Sequence, residues 1–111
     1  MKIKINDREV TLYFGVRFVR ELDKVAGMNV NGASLGMGLT RTLPALETGD
    51  PVALANVLYA ASYDTNPRVS QNEIDEYMEN CKDLDKLYDR VMKKAMESNI
   101  IKATAKKLKM V

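Results

Sequence analysis

Residues 50–62 read Asp50-Pro51-Val52-Ala53-Leu54-Ala55-Asn56-Val57-Leu58-Tyr59-Ala60-Ala61-Ser62. Asp50 is a helix-capping residue, and Pro51 suits the first helical position, where no N–H is needed. The residues that follow are apolar nearly all round, with no charge before Asp64. A helix of that kind is a buried helix. A chain of 111 residues has room for one core. The reading is therefore a central helix with the remaining elements arranged around it.

Toward the N-terminus, Gly49 ends the preceding element. Ser34 is the expected cap of a helix whose stripe is Leu35, Leu39, Leu43 and Leu46, although Gly36 and Gly38 weaken its start by roughly 1 kcal/mol each relative to Ala. Residues 27–33 (Gly-Met-Asn-Val-Asn-Gly-Ala) read as a loop by composition. Before them, Phe18, Val19, Leu22, Val25 and Ala26 form one helical face, closed by Gly27. Arg17, Arg20, Glu21, Asp23 and Lys24 fall on the outer face. The first 14 residues alternate instead. Ile3 and Ile5 share a face, as do Val10, Leu12 and Phe14, which is the period of a half-buried strand. Asn6-Asp7 tolerate positive φ and read as a two-residue hairpin turn. That register sets Ile5 opposite Arg8, Lys4 opposite Glu9 and Ile3 opposite Val10.

Toward the C-terminus, Asn66-Pro67 breaks the chain, and Ser70-Gln71-Asn72-Glu73 is a capping box. Ile74, Tyr77, Met78 and Cys81 make the next stripe. Asp83 or Asp85 caps a further helix with the stripe Leu84, Leu87, Tyr88, Val91, Met92, Ala95 and Met96. After Asn99 the pattern gives way to Lys102, Lys106, Lys107 and Lys109. The fold expected is mainly α with a small N-terminal β-hairpin (α+β), with about five helices around the central one. Residues 1–98 form a single globular domain, the hairpin at 1–14 and helices over 15–98. Residues 99–111 form a basic C-terminal tail.

The residue inventory excludes much chemistry. There is no His, no Trp and one Cys, Cys81. Neither a Ser-His-Asp or Cys-His nucleophile nor a Cys/His zinc site can be assembled. A single Cys cannot close an intrachain disulfide. The glycines at 32, 36 and 38 are not followed by Lys-Ser/Thr, so no phosphate loop is present. The acids from Asp75 to Asp89 lack calcium-loop spacing. No enzymatic activity, cofactor, metal or small-molecule substrate is expected. Met1-Lys2-Ile3-Lys4 is charged with no apolar run behind it, and the most apolar stretch, Val52 to Tyr63, is 12 residues, against roughly 20 for a membrane span. An intracellular chain with no membrane partner is the expectation, with Cys81 a reduced thiol.

Net charge is +2 but unevenly spread: residues 64–89 carry −5 and residues 90–111 carry +6. Either this is an acidic helix face plus a solvated tail, or it supports head-to-tail self-association or binding of an acidic partner. A small DNA-binding regulator is an alternative, but the acidic fourth helix would repel phosphates, so nucleic acid is not expected as a partner. Seven methionines suit either core filling or surfaces that accept varied apolar partners.

The ordered combination of certain residues resembles a known family. A strand pair ends in Phe14, followed by Arg17-Phe18 and Leu22-Asp23. Then come Gly36-Met37-Gly38-Leu39, Leu43-Pro44-Ala45-Leu46, Gly49-Asp50, Ala53-Leu54 and Leu58-Tyr59-Ala60-Ala61. Pro67, Ser70, Glu73-Ile74 and Tyr77 complete the set. Over roughly residues 1–98 this resembles the tail assembly chaperones of long-tailed (siphovirus) bacteriophages of Gram-positive bacteria. The resemblance implies a non-enzymatic protein of the host cell cytoplasm, absent from the mature virion. It implies binding of the tape measure protein, whose helical apolar segments are kept soluble, and help in recruiting tail tube protein. It also implies many copies, hence a homo-oligomer; a structural head–tail connector or tail component is the alternative within the virion. On that reading an amphipathic tape measure helix docks on helices two and five through Leu35, Met37, Leu39, Met92 and Met96. Arg17, Arg20, Asp75, Glu76 and Glu79 supply contacts between copies.

Overall fold

The computed structural model describes residues 1–110. Strands β1 (Lys2–Ile5) and β2 (Arg8–Thr11) pair antiparallel in the register expected from the sequence. Asn6 and Asp7 take φ of 51° and 63°, the two left-handed residues of a type I′ turn. Ile3, Ile5, Val10 and Leu12 are buried, while Lys2, Lys4 and Glu9 face water. The ion pair on the wet face differs from expectation. Glu9 meets Lys2 diagonally at 3.2 Å rather than Lys4 opposite it. The hairpin is tied to the helices by the Tyr13 N–H, which donates to the Ala61 carbonyl at 3.0 Å. A two-stranded ribbon needs such a support to persist in water.

The central helix is α3 (Pro51–Ala61). The Asp50 carboxylate accepts from the N–H groups of Val52 and Ala53, so the cap forms as read. Helices α1 (Val16–Ala26), α2 (Gly38–Glu47) and α4 (Gln71–Glu79) pack around α3. Leu54, Leu58, Ala60 and Ala61 are removed from water. One stripe of α3 is left uncovered, contrary to the all-round burial expected. Val52 is 65% exposed, and Ala55, Asn56 and Tyr59 are half-buried beside it.

The second departure lies between α1 and α2. Residues 27–33 do not form a plain loop. Strands β3 (Asn29–Val30) and β4 (Ala33–Ser34) make a second hairpin around Asn31-Gly32, with φ of 50° and 81°. Ser34 is a strand residue and caps nothing. The helix begins four residues later because Gly36 and Met37 take φ of 71° and 72°, which no α-helix can include. The missing cap comes from another element: Asp23 Oδ1 on α1 accepts from the Gly38 N–H at 2.9 Å. A Cβ at Gly38 would stand 2.6 Å from that oxygen and 3.1 Å from the Asp23 backbone. Gly38 is therefore the point of closest approach of two helices, not a weak helix start.

The capping box at Ser70 and Glu73 forms with both bonds at 3.1 Å. Val69 and Ile74, flanking it, are both buried, as in a hydrophobic staple. Helix α4 stops at Glu79, so Cys81 lies beyond it as a half-buried free thiol. Asp83, not Asp85, caps α5 (Leu84–Ala95). The basic tail expected over 99–111 is corrected. Residues Asn99–Lys107 form α6, which packs on α2 with Ile101 and Ala105 wholly buried. Ile101, Ala105 and Leu108 are spaced i, i+4, i+7, one helical stripe beneath the lysines. The described residues thus contain six helices, α6 being the one placed in the tail by the sequence reading.

Two substitutions check this architecture. Leu58→Asp places an unpaired charge in the centre and abolishes the cooperative thermal transition seen by circular dichroism. Ile101→Ala lowers unfolding stability by about 2–4 kcal/mol in urea titration, whereas a residue in a solvated tail leaves the midpoint unchanged.

Candidate docking surfaces

A buried carboxylate belongs to α1. Glu21, placed on the outer face by its spacing, is buried. Its carboxylate accepts from Lys24 Nζ at 2.7 Å and from Arg68 at 2.6 Å. Arg68 also donates to the Tyr59 carbonyl at 3.1 Å, and its guanidinium lies 4.3 Å from the centre of the Tyr59 ring. The same carbonyl accepts from Ser62 Oγ. Arg68 therefore caps the carbonyl end of α3, neutralises a buried carboxylate and stacks on an aromatic face at once. The hydrogen bond from Lys24, with that from Arg68 behind it, outweighs burial and holds the Glu21 carboxyl below its ordinary range. The spacing that put Glu21 outside was sound for α1 alone. Arg68, 47 residues away, covers that face.

The five residues expected to bind a partner do not share one surface. Leu39 is 6% exposed and belongs to the core. Met92 and Met96 are half-buried on α5, with Met92 lining a depression shared with Leu46, Tyr88 and the acids Glu47, Asp85 and Asp89. Leu35 is 55% exposed on the arm leaving β4, with Met37 exposed shortly after it. These two are joined by Met28 and Val30 from the other arm of the hairpin, also exposed. Leu35 N–H donates to the Met28 carbonyl at 2.7 Å, so those two residues are cross-strand neighbours. Val30 pairs with Ala33. Side chains alternate along a strand and match across a pair, so Met28, Val30, Ala33 and Leu35 line one face. No charged residue occurs from Val25 to Thr40, in a chain that is 29% charged. The Asn31-Gly32 turn was the signal that could have revealed this hairpin.

The residues expected between copies also separate. Arg17 lies 4.4 Å over the Tyr63 ring, and Arg20 is exposed on α1. Asp75, Glu76 and Glu79 are exposed along α4. Among the described residues, no ion pair uses any of these five. Asp75 and Glu79 edge a groove of about 440 Å³ between α3 and α4, floored by Val52, Ala55, Ile74 and Met78. No helix among the described residues is long and apolar enough to cross a membrane. No cluster of acids and Cys among them could hold a metal ion.

Two exposed apolar surfaces on a small helical body have the form of interaction surfaces, as in a binding protein. Residues 2–109 match the family described as phage tail assembly chaperone protein, TAC, and the chain belongs to that family. The match includes α6, which the resemblance over 1–98 had left out. No curated protein and no solved structure matches the chain. Chaperoning is a non-enzymatic role, and the partners are phage tail proteins.

The Glu21 linkage carries a pH dependence. A carboxyl held low in the folded state contributes stability that is complete above its ordinary value, near 4.5, and is lost as pH falls through the folded value. Glu21→Gln therefore lowers stability by about 2 kcal/mol at neutral pH. In urea titrations the gap between the two proteins closes as the pH falls below 4.5.

Proposed function

We propose that this chaperone binds the tape measure protein of a siphovirus and keeps its helical, apolar segments soluble until the tail tube encloses them. It acts in the host cell cytoplasm, helps recruit tail tube protein and leaves before the virion is complete. The observation that carries the reading is the uncharged hairpin between α1 and α2, whose Met28, Val30 and Leu35 are offered to solvent. Large apolar side chains gathered on one exposed face mark an interaction surface. Two of the exposed side chains are methionines, Met28 and Met37, whose flexible thioethers adapt to a succession of different apolar ridges. A client with a long repeating apolar helix needs that tolerance more than it needs a shaped pocket.

The docking surface proposed is thus Leu35 and Met37 with Met28 and Val30. Met92 and Met96 on α5 form a separate, weaker contribution, and Leu39 acts by supporting α2 from within the core. A long client is covered by many copies, so homo-oligomer formation belongs to the same reading.

Co-expression with the tape measure protein tests it. The wild-type chain keeps the tape measure protein in the soluble fraction. The double variant Met28→Asp/Leu35→Asp, both at exposed positions, folds normally by circular dichroism and leaves the tape measure protein insoluble. Equal solubility with the variant, or none with the wild type, sinks the assignment.

A further inference from the structure

The groove between α3 and α4 has the length and the charge of a helix-docking site, and the geometry points to its occupant. That occupant is a basic amphipathic helix of another protein, with apolar side chains at i, i+3 and i+7 and Lys or Arg at i+4 and i+8. Helix α3 lines the groove from Pro51 to Tyr59, and α4 lines it from Gln71 to Glu79. At 1.5 Å per residue each wall runs for about 12 Å, room for two turns of a third helix. On α4, Ile74 and Met78 are buried at the floor, and Asp75 and Glu79 stand beside them as exposed carboxylates one turn apart. Residues of a helix advance by about 100° each, so Ile74, Met78, Asp75 and Glu79 follow one another around a single arc, apolar first and acidic last. The α3 wall, with Val52, Ala55 and Asn56, carries no charge. The groove is therefore apolar below, neutral on one side and acidic on the other.

The acidic wall is uncompensated. Helix α4 has four acids and no base, and among the described residues neither Asp75 nor Glu79 takes part in an ion pair. Arg68, which stacks on the groove's Tyr59, is already paired with Glu21. Two free carboxylates beside an apolar floor attract an apolar stripe edged by positive charge. In a helix, i, i+3 and i+7 fall within about 60° of one another and i+4 and i+8 follow on one side of them. Those two positions are one turn apart, the spacing of Asp75 and Glu79. Turning such a helix end for end keeps its stripe on the floor but moves its bases to the neutral wall. The acidic wall thus selects one of the two directions in which the helix can lie.

No described helix of this chain has that form. Among them the exposed large apolar side chains are Val16 on α1, Val52 on α3 and Ile100 on α6, one to a helix. The half-buried Tyr88 and Met92 of α5 are edged by Asp85 and Asp89, the wrong sign for this groove. The occupant is for that reason a different protein. The groove is also separate from the uncharged hairpin of Met28, Val30 and Leu35, so the inference does not rest on the client reading.

Fluorescence anisotropy on the full chain tests it, with labelled synthetic helices of about 15 residues. All carry Leu at i, i+3 and i+7. One has Lys at i+4 and i+8, a second has Glu there, and a third has its Lys at i+2 and i+9, on the face turned away from the stripe. The Lys-edged helix binds saturably, about tenfold more tightly than the Glu-edged helix at low salt. The third falls between them. High salt narrows the gap, because the carboxylates are exposed. Asp75→Lys/Glu79→Lys reverses the preference. Val52→Ser, at an exposed position, weakens binding of the Lys-edged helix about threefold with circular dichroism unchanged. The hairpin variant Met28→Asp/Leu35→Asp binds it as the wild type does. Absence of saturable binding by about 1 mM overturns the proposal. So does equal affinity for the Lys-edged and Glu-edged helices, a preference that survives the charge reversal, or binding lost with the hairpin variant. Sedimentation velocity in which the Lys-edged helix dissociates a wild-type oligomer also overturns it, since a second copy then fills the groove.

Discussion

Helix α3 has no charge along Pro51–Ala61 and carries its apolar side chains on every side. Removing that surface from water is the largest favourable term available to a chain this small. Three helices are recruited to do it, and the N-terminal hairpin closes over the end at Ala61. The packing leaves α3 exposed along Val52, Ala55 and Tyr59, and that single unclosed side is where the groove forms. The constraint that builds the core also leaves this apolar groove open.

Hydrophobic burial sets which elements meet but not how they are oriented. Orientation comes from a few polar links between elements far apart in sequence. Asp23 holds the start of α2 against the end of α1 through the Gly38 N–H. Arg68 joins the segment before α4 to Glu21 on α1 and to the carbonyl end of α3. Each link meets a group that burial would otherwise leave unsatisfied, namely a helix N-terminus, a carboxylate or a helix C-terminus. Their number is small, but each involves an ion or a helix end, where a lost partner is costly.

The two exposed surfaces differ in chemistry. The second hairpin is apolar and free of charge over sixteen residues, Val25 to Thr40. The groove is apolar with an acidic wall. A charge-free surface adapts to many apolar partners, and a charged rim selects one orientation and one partner. The fold presents these two kinds of surface on different elements.

Local signals were legible wherever one stretch of chain settles its own conformation. The Asn6-Asp7 turn fixes the β1–β2 register, because a one-residue slip would turn every isoleucine to water. Asp50-Pro51 and the Ser70–Glu73 box satisfy their own helix ends, so they could be read without knowing the fold. Helix α6 was legible in principle, through Ile101, Ala105 and Leu108, but its lysines masked the stripe. Tertiary structure decided the rest. Glu21 is buried because Arg68 arrives from outside α1. The start of α2 is set by an aspartate fifteen residues earlier and by two left-handed residues that end any helix through Ser34. Leu39 and Leu35 look equivalent in a periodic stripe, yet one is core and the other surface. Periodicity states that a face is apolar; only the positions of the other elements determine whether that face is covered.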